Sequence, residues 1–105
     1  MQSIFRIAVG AASFVVVTLC SAPAMAQESA TTRGMAATCA NCHGTDGRSV
    51  GSLPGLAGTD RAYMVQQMQD FKAGKRPATI MHQLAKGFTD AQIESIAGYF
   101  AAQKK

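Results

Sequence analysis

Cys39-Ala40-Asn41-Cys42-His43 is a C-x-x-C-H run, the pattern of covalent c-type haem attachment. Each thiol would add across one vinyl group of the porphyrin, and the two-residue gap lets both reach one macrocycle from a single turn of chain. His43 directly follows the second thiol, so it is held under the iron and can supply a proximal nitrogen ligand. Rival readings of the run ask for features the chain lacks. A thioredoxin-like C-x-x-C needs a βαβ pattern around it, and no stretch here reads as a strand. A zinc site needs a second ligand pair, and none follows. A Cys39–Cys42 disulfide is geometrically possible but leaves His43 without a role.

Working outward, the N-terminus reads as an export signal. Arg6 supplies a short positive region, Ile7 to Leu19 is an apolar run relieved only by Gly10, Ser13 and Thr18, and Ala24-Met25-Ala26 forms an A-x-A cleavage site. Residues 1–26 are therefore expected to be a cleaved secretory signal peptide and residues 27–105 a mono-haem domain. The apolar run falls short of the about 20 residues that a spanning helix needs, so no membrane span is expected in the mature chain. Cys20 suggests a lipoprotein, but Leu19 before it is larger than the small residue a lipobox requires. Cleavage removes Cys20 and leaves Cys39 and Cys42 as the only cysteines.

The remaining 79 residues make one small domain. Domains of this length bury too little apolar surface for comfortable stability and usually rely on a disulfide, a metal or another staple. Haem c fills that need, and without it the chain is expected to be largely unfolded. The mature charge is +3, from nine basic and six acidic residues. That is a weak field, and no basic run carries interleaved aromatics, so nucleic acid is not an expected partner.

The pattern is all-α. Thr31 to about Ala40 reads as a short helix with Thr31 or Thr32 as N-cap. Gly34 within it either lets another helix cross closely or marks a frayed start. Gly44 to Gly58 contains five glycines and Pro54, a loop whose Leu53 and Leu56 suit it to wrap a porphyrin. A ligating histidine usually donates its second ring N–H to an oxygen, and the Pro54 carbonyl is the expected acceptor. Thr59 or Asp60 caps a second helix to about Ala73, closed by Gly74 at C′. Tyr63, Met64, Met68 and Phe71 form its apolar face, with Val65 at the edge. Lys72, Lys75 and Arg76 either complement its dipole or serve docking. Thr89-x-x-Gln92 is a capping box opening a last helix that turns Ile93, Ile96, Ala97 and Phe100 inward. Tyr99 beside them is placed to touch the first helix or the haem edge.

A second protein ligand would close the iron to small molecules and leave electrons as its only traffic. Met35 is tethered to the proximal side, and Met64 and Met68 sit on an apolar helical stripe suited to core packing. Met81 lies in what reads as an irregular segment after Pro77, 38 residues beyond His43, with enough chain to travel around the haem. A thioether is soft and favours ferrous iron, so His43/Met81 ligation raises the reduction potential. His82 is the rival ligand, but sequence neighbours point in different directions, and its expected place is the surface.

In this order the residues resemble the class I c-type cytochromes, a fold of three to five helices around one covalently bound haem. The correspondence runs from Thr38 to Gln103. It carries the Cys39–His43 motif, Pro54, the segment from Tyr63 to Arg76, Met81 and the helix from Thr89 to Phe100. The resemblance implies His43 and Met81 as axial ligands, the Pro54 carbonyl as partner of His43, and haem attachment outside the bacterial cytoplasmic membrane, hence a periplasmic protein. Thr79-Ile80-Met81 and Ala85-Lys86-Gly87-Phe88 look like the cytochrome subunit of flavocytochrome c sulfide dehydrogenase. That implies a flavoprotein partner that oxidises sulfide, with no bond chemistry in this chain. Many such subunits carry two haem domains, whereas this sequence has one C-x-x-C-H. A free electron shuttle between a respiratory complex and a terminal oxidase or reductase is the alternative within the class. Haem-based ligand binding or peroxidase activity would follow if Met81 did not ligate. Lys75, Arg76 and Lys86 are the expected rim charges steering partners.

Overall fold

Five helices and one 3₁₀ turn make up the computed structural model, which describes residues 24–105. The expected leader lies outside the described residues up to residue 23. Helix α1 spans Ala24–Ala37, α2 Ala40–His43, α3 Arg61–Lys72, α4 Met81–Lys86 and α5 Asp90–Ala101, with the 3₁₀ turn at Thr45–Gly47 between α2 and α3. Among the described residues there is no strand, and no helix is long and apolar enough to cross a membrane.

Helix α1 starts seven residues before the expected Thr31. Alanine, glutamine and glutamate in its first turns are strong helix formers, so Thr31 and Thr32 lie inside the helix instead of capping it. Gly34 is also a helix-interior residue, and a Cβ added there would meet nothing within 4 Å. Neither a close helix crossing nor a frayed start explains it. The helix ends in tightened turns, with Thr38 N and Cys39 N donating to Met35 O and Ala36 O, both at 3.1 Å.

The two longer helices that follow start as their sequences dictate. Asp60 caps α3, its Oδ1 accepting from Tyr63 N at 2.8 Å, and Gly74 takes φ +71° just past the end, the left-handed cap that glycine adopts without a Cβ penalty. Thr89 and Gln92 form the reciprocal capping box of α5. Gln92 N donates to Thr89 Oγ1 at 3.2 Å, and Thr89 N donates to Gln92 Oε1 at 2.9 Å. Ile93, Ile96, Ala97 and Phe100 are all buried on one face of α5, as their i, i+3, i+4, i+7 spacing requires.

Helix α5 is the hub, packing on α1 and on α3, while α4 packs on α3. Ala36, Met64, Ile96, Ala97 and Phe100 form the central cluster, bordered by Met35, Cys39, Leu56, Val65, Phe88 and Tyr99. The turn that carries the cysteines thus touches the core directly. Polar ties reinforce the α3–α5 contact. Arg61 donates through Nε and Nη2 to Glu94 Oε2 at 3.1 and 2.9 Å. Lys72 Nζ donates to Phe88 O at 2.7 Å and to Asp90 Oδ1 at 3.0 Å. Lys72 therefore ties α3 to the start of α5, a place that neither the dipole complement nor the docking role describes.

Asp90 also accepts from Gln69 Nε2 at 3.0 Å. The Gln69 hydrogen bond, then Lys72, holds its carboxyl below the ordinary 3.8. A depressed carboxylate stabilises the fold above its unfolded-state pKa and loses that contribution as pH falls through the lower folded value. Asp90→Asn should therefore be less stable than the parent at neutral pH and converge with it in acid, as read by denaturant titration of both proteins.

Helix α4 has no counterpart in the sequence reading, which treats the segment around Met81 as irregular. Met81 is its first residue. Six residues are too few to show helical periodicity, and Ile80 before it provides no side-chain cap hydrogen bond.

Candidate functional site

The cysteines occupy one tight turn. Cys42 N and His43 N both donate to Cys39 O, at 3.2 and 2.9 Å, so the turn from Cys39 is wound as a helix and the two side chains issue from its successive positions. Both thiols are free, Cys39 half-buried and Cys42 exposed. Burial pushes the Cys39 thiol above its usual range, outweighing the hydrogen bond with Thr38, and Cys42 pushes it further up. In the unmodified chain Cys39 is consequently a protonated thiol at neutral pH, poorly disposed to act as a thiolate.

His43 is buried, 9% exposed, and its Nδ1 lies 2.6 Å from Pro54 O. A carbonyl can only accept, so Nδ1 carries the hydrogen and Nε2 keeps its lone pair free to bind a metal. Eleven residues separate the partners, and the intervening loop is folded to bring them together. Leu56 N and Ala57 N both donate to Gly47 O, at 2.8 and 3.1 Å, and Gly58 N donates to Phe100 O at 2.9 Å. These bonds turn the chain back just after Pro54.

Met81 lies on a different element, half-buried at the start of α4. His82 beside it is also half-buried. Leu53 and Ile80, which flank Pro54 and Met81 in sequence, are 47% and 54% exposed, apolar surface of the kind that a porphyrin face covers. Free thiols in one turn, an imidazole with a free Nε2, a thioether and these apolar flanks fit the donor and packing needs of covalently bound haem.

The charges expected at the rim divide by role. The Arg76 guanidinium lies 4.8 Å over the Phe71 ring and bonds the Gln67 side chain, so it is folded back along α3. Lys75 and Lys86 are exposed and, among the described residues, have no ion-pair partner.

Sequence reasoning missed one cluster beside the site. Tyr99 OH donates to Asp46 Oδ1 at 2.6 Å, so Tyr99 reaches the loop after His43. Its ring stands edge-on to Phe100, with centroids 5.2 Å apart. The Asp46 carboxylate, chiefly through that hydrogen bond, holds the phenol above its ordinary pKa. The Asp46-Gly47 dipeptide marks a turn, but nothing local links it to a side chain 53 residues away.

A family model described as cytochrome c matches residues 30–104. The chain belongs to the cytochrome c family. Its fold is that of the class I c-type cytochromes, and the cofactor of this cytochrome is one covalently bound haem c, for which Cys39 and Cys42 supply the C-x-x-C-H thiols. The cytochrome subunit of sulfide dehydrogenase from Chlorobaculum tepidum is 43% identical over 68 residues, covering 65% of this chain and 62% of that one. Cytochrome c4 of Pseudomonas aeruginosa is 41% identical over 80 residues, covering 75% of this chain and 40% of that one. The solved cytochrome c4 of Acidithiobacillus ferrooxidans superposes with a TM-score of 0.66 at 32% identity, covering 71% of this cytochrome and 49% of that chain. This cytochrome thus spans less than two thirds of the length of these relatives.

Proposed function

We propose that this cytochrome carries single electrons in the periplasm through a haem bound to Cys39 and Cys42 and ligated by His43 and Met81. We further propose that it receives those electrons from a flavoprotein that oxidises sulfide. The working domain is residues 27–105, exported by the signal peptide 1–26. The observation that carries the ligand reading is the His43 Nδ1 to Pro54 O distance of 2.6 Å, which leaves Nε2 as the ligating atom. Similarity to the sulfide dehydrogenase cytochrome subunit supports the partner.

The haem iron supplies a one-electron couple, and the chain sets its potential and its access. The Pro54 carbonyl orients the imidazole and raises its basicity. The Met81 thioether favours the ferrous state and raises the potential, while occupying the position a small ligand would need. Leu53 and Ile80, exposed beside the two ligand-bearing segments, would exclude water where the haem covers them. Lys75 and Lys86 attract an acidic partner surface from solution, and this attraction weakens with added salt.

Purification of the native protein with its associated chains tests the partner. A flavin-containing chain should copurify, and sulfide should reduce the haem only in its presence. A cytochrome isolated alone, and reduced directly by a quinol-oxidising complex, would make it a free shuttle. Carbon monoxide binding to the resting ferrous protein would favour the haem-based ligand-binding or peroxidase reading.

A further inference from the structure

Asp46 is the sole non-glycine residue with positive φ among the described residues, at +53°. A side chain in this region costs energy that surrounding contacts must offset, and such residues gather where local geometry serves function. Two contacts hold this one, and a third braces the second. Tyr99 OH donates to Asp46 Oδ1 at 2.6 Å, Arg48 Nη1 approaches Asp46 Oδ2 at 3.4 Å, and Arg48 Nε is itself anchored to Lys104 O at 3.0 Å. The distant ends of this set, Tyr99 and Lys104, come from the end of α5 and the tail beyond it.

Asp46 also stands at a junction in the loop. The next residue, Gly47, accepts from Leu56 N and Ala57 N through its carbonyl, and these amides follow Pro54 by two and three residues. A chain of short links therefore runs from the Tyr99 hydroxyl, through the Asp46 turn and the Gly47 carbonyl, to the carbonyl that orients His43. We propose that Tyr99 and Asp46 are positioning residues for the haem, clamping the loop so that the Pro54 carbonyl keeps its hydrogen bond to His43. The inference rests on the reading of His43 as an iron ligand.

Loosening the clamp weakens the Nδ1–H···O bond. The imidazole then donates less electron density, ferric iron is stabilised less, and the reduction potential rises. Tyr99→Phe removes only the hydroxyl. Asp46→Gly removes the acceptor and keeps the turn, since glycine adopts positive φ freely.

The test uses the haem-loaded protein and its two single variants and double variant. Both single variants should shift to higher potential, exchange the Leu56 and Ala57 amide hydrogens faster than the parent, and retain the low-spin spectrum. The double variant should shift no further than Asp46→Gly alone, because the Tyr99 hydroxyl has no acceptor to lose once the Asp46 carboxylate is gone. Unchanged potentials with merely lowered melting temperatures would overturn the clamp, as would shifts that add in the double variant. A parent lacking a histidine-ligated low-spin spectrum would instead overturn the ligand reading, and the clamp with it.

Discussion

Gly47→Ala should be among the most destabilising single substitutions in the described chain. A Cβ at this position would lie 2.8 Å from Ala57 N and 2.9 Å from both Leu56 Cβ and Phe100 Cδ1. Backbone, loop and core would all have to yield. The residue also sits at φ +77°, where a side chain costs about 1–2 kcal/mol, and overpacking adds about 1–3 kcal/mol. A total of about 2–5 kcal/mol lowers the melting temperature of a domain this size by roughly 10–30 °C. Thermal unfolding followed at the haem absorbance checks the magnitude. The damage should also reach function, because Gly47 O holds the amides that follow Pro54. A variant that melts with the parent would show that the Gly44–Gly58 loop is not pinned against Phe100.

Replacing both Cys39 and Cys42 with alanine should have an even broader effect, leaving the chain largely unfolded. Among the described residues, the buried hydrophobic ones are Ala36, Ala57, Met64, Ala85, Ile93, Ile96, Ala97 and Phe100. Half are alanines, which bring little apolar area, and Phe100 and Ile93 are the largest side chains fully enclosed. Against this stands a conformational entropy cost of about 1.5 kcal/mol for each ordered residue. A covalently held porphyrin contributes the apolar surface such a small core lacks. Far-UV circular dichroism of the purified double variant should show most of the helix signal lost. A native helical spectrum with a cooperative transition would show that the helices are self-sufficient.

The parts legible in the sequence were those written in short-range patterns. Cys39 to His43 announced the haem, Asp60 and Gly74 bracketed α3, and Thr89 with Gln92 opened α5, because caps and attachment motifs act within one turn of chain. Helix α5 was also readable in its packing, since Ile93, Ile96, Ala97 and Phe100 repeat at helical spacing. The failures have physical reasons. Thr31 and Thr32 look like caps, yet the good helix formers before them carry α1 further back. Helix α4 is shorter than the two turns that periodicity needs, so Met81 appeared to lie in irregular chain. The bond from Tyr99 to Asp46 depends on the loop and the end of α5 being folded together, and no local pattern encodes a partner 53 positions away. Lys72 illustrates the same limit. Its place near a helix end suggested dipole complement or docking, while its bonds to Phe88 and Asp90 arise from tertiary packing.

The proposed pairing of His43 with Met81 carries the functional reading, because it would separate a closed electron carrier from an open catalytic haem. The ferric absorption spectrum of the haem-loaded protein, recorded beside that of Met81→Ala, tests it most directly. The parent should show the methionine-to-iron charge-transfer band, and the variant should lose it while gaining affinity for small ligands. A parent without the band, or a variant that keeps it, would contradict Met81 as the sixth ligand.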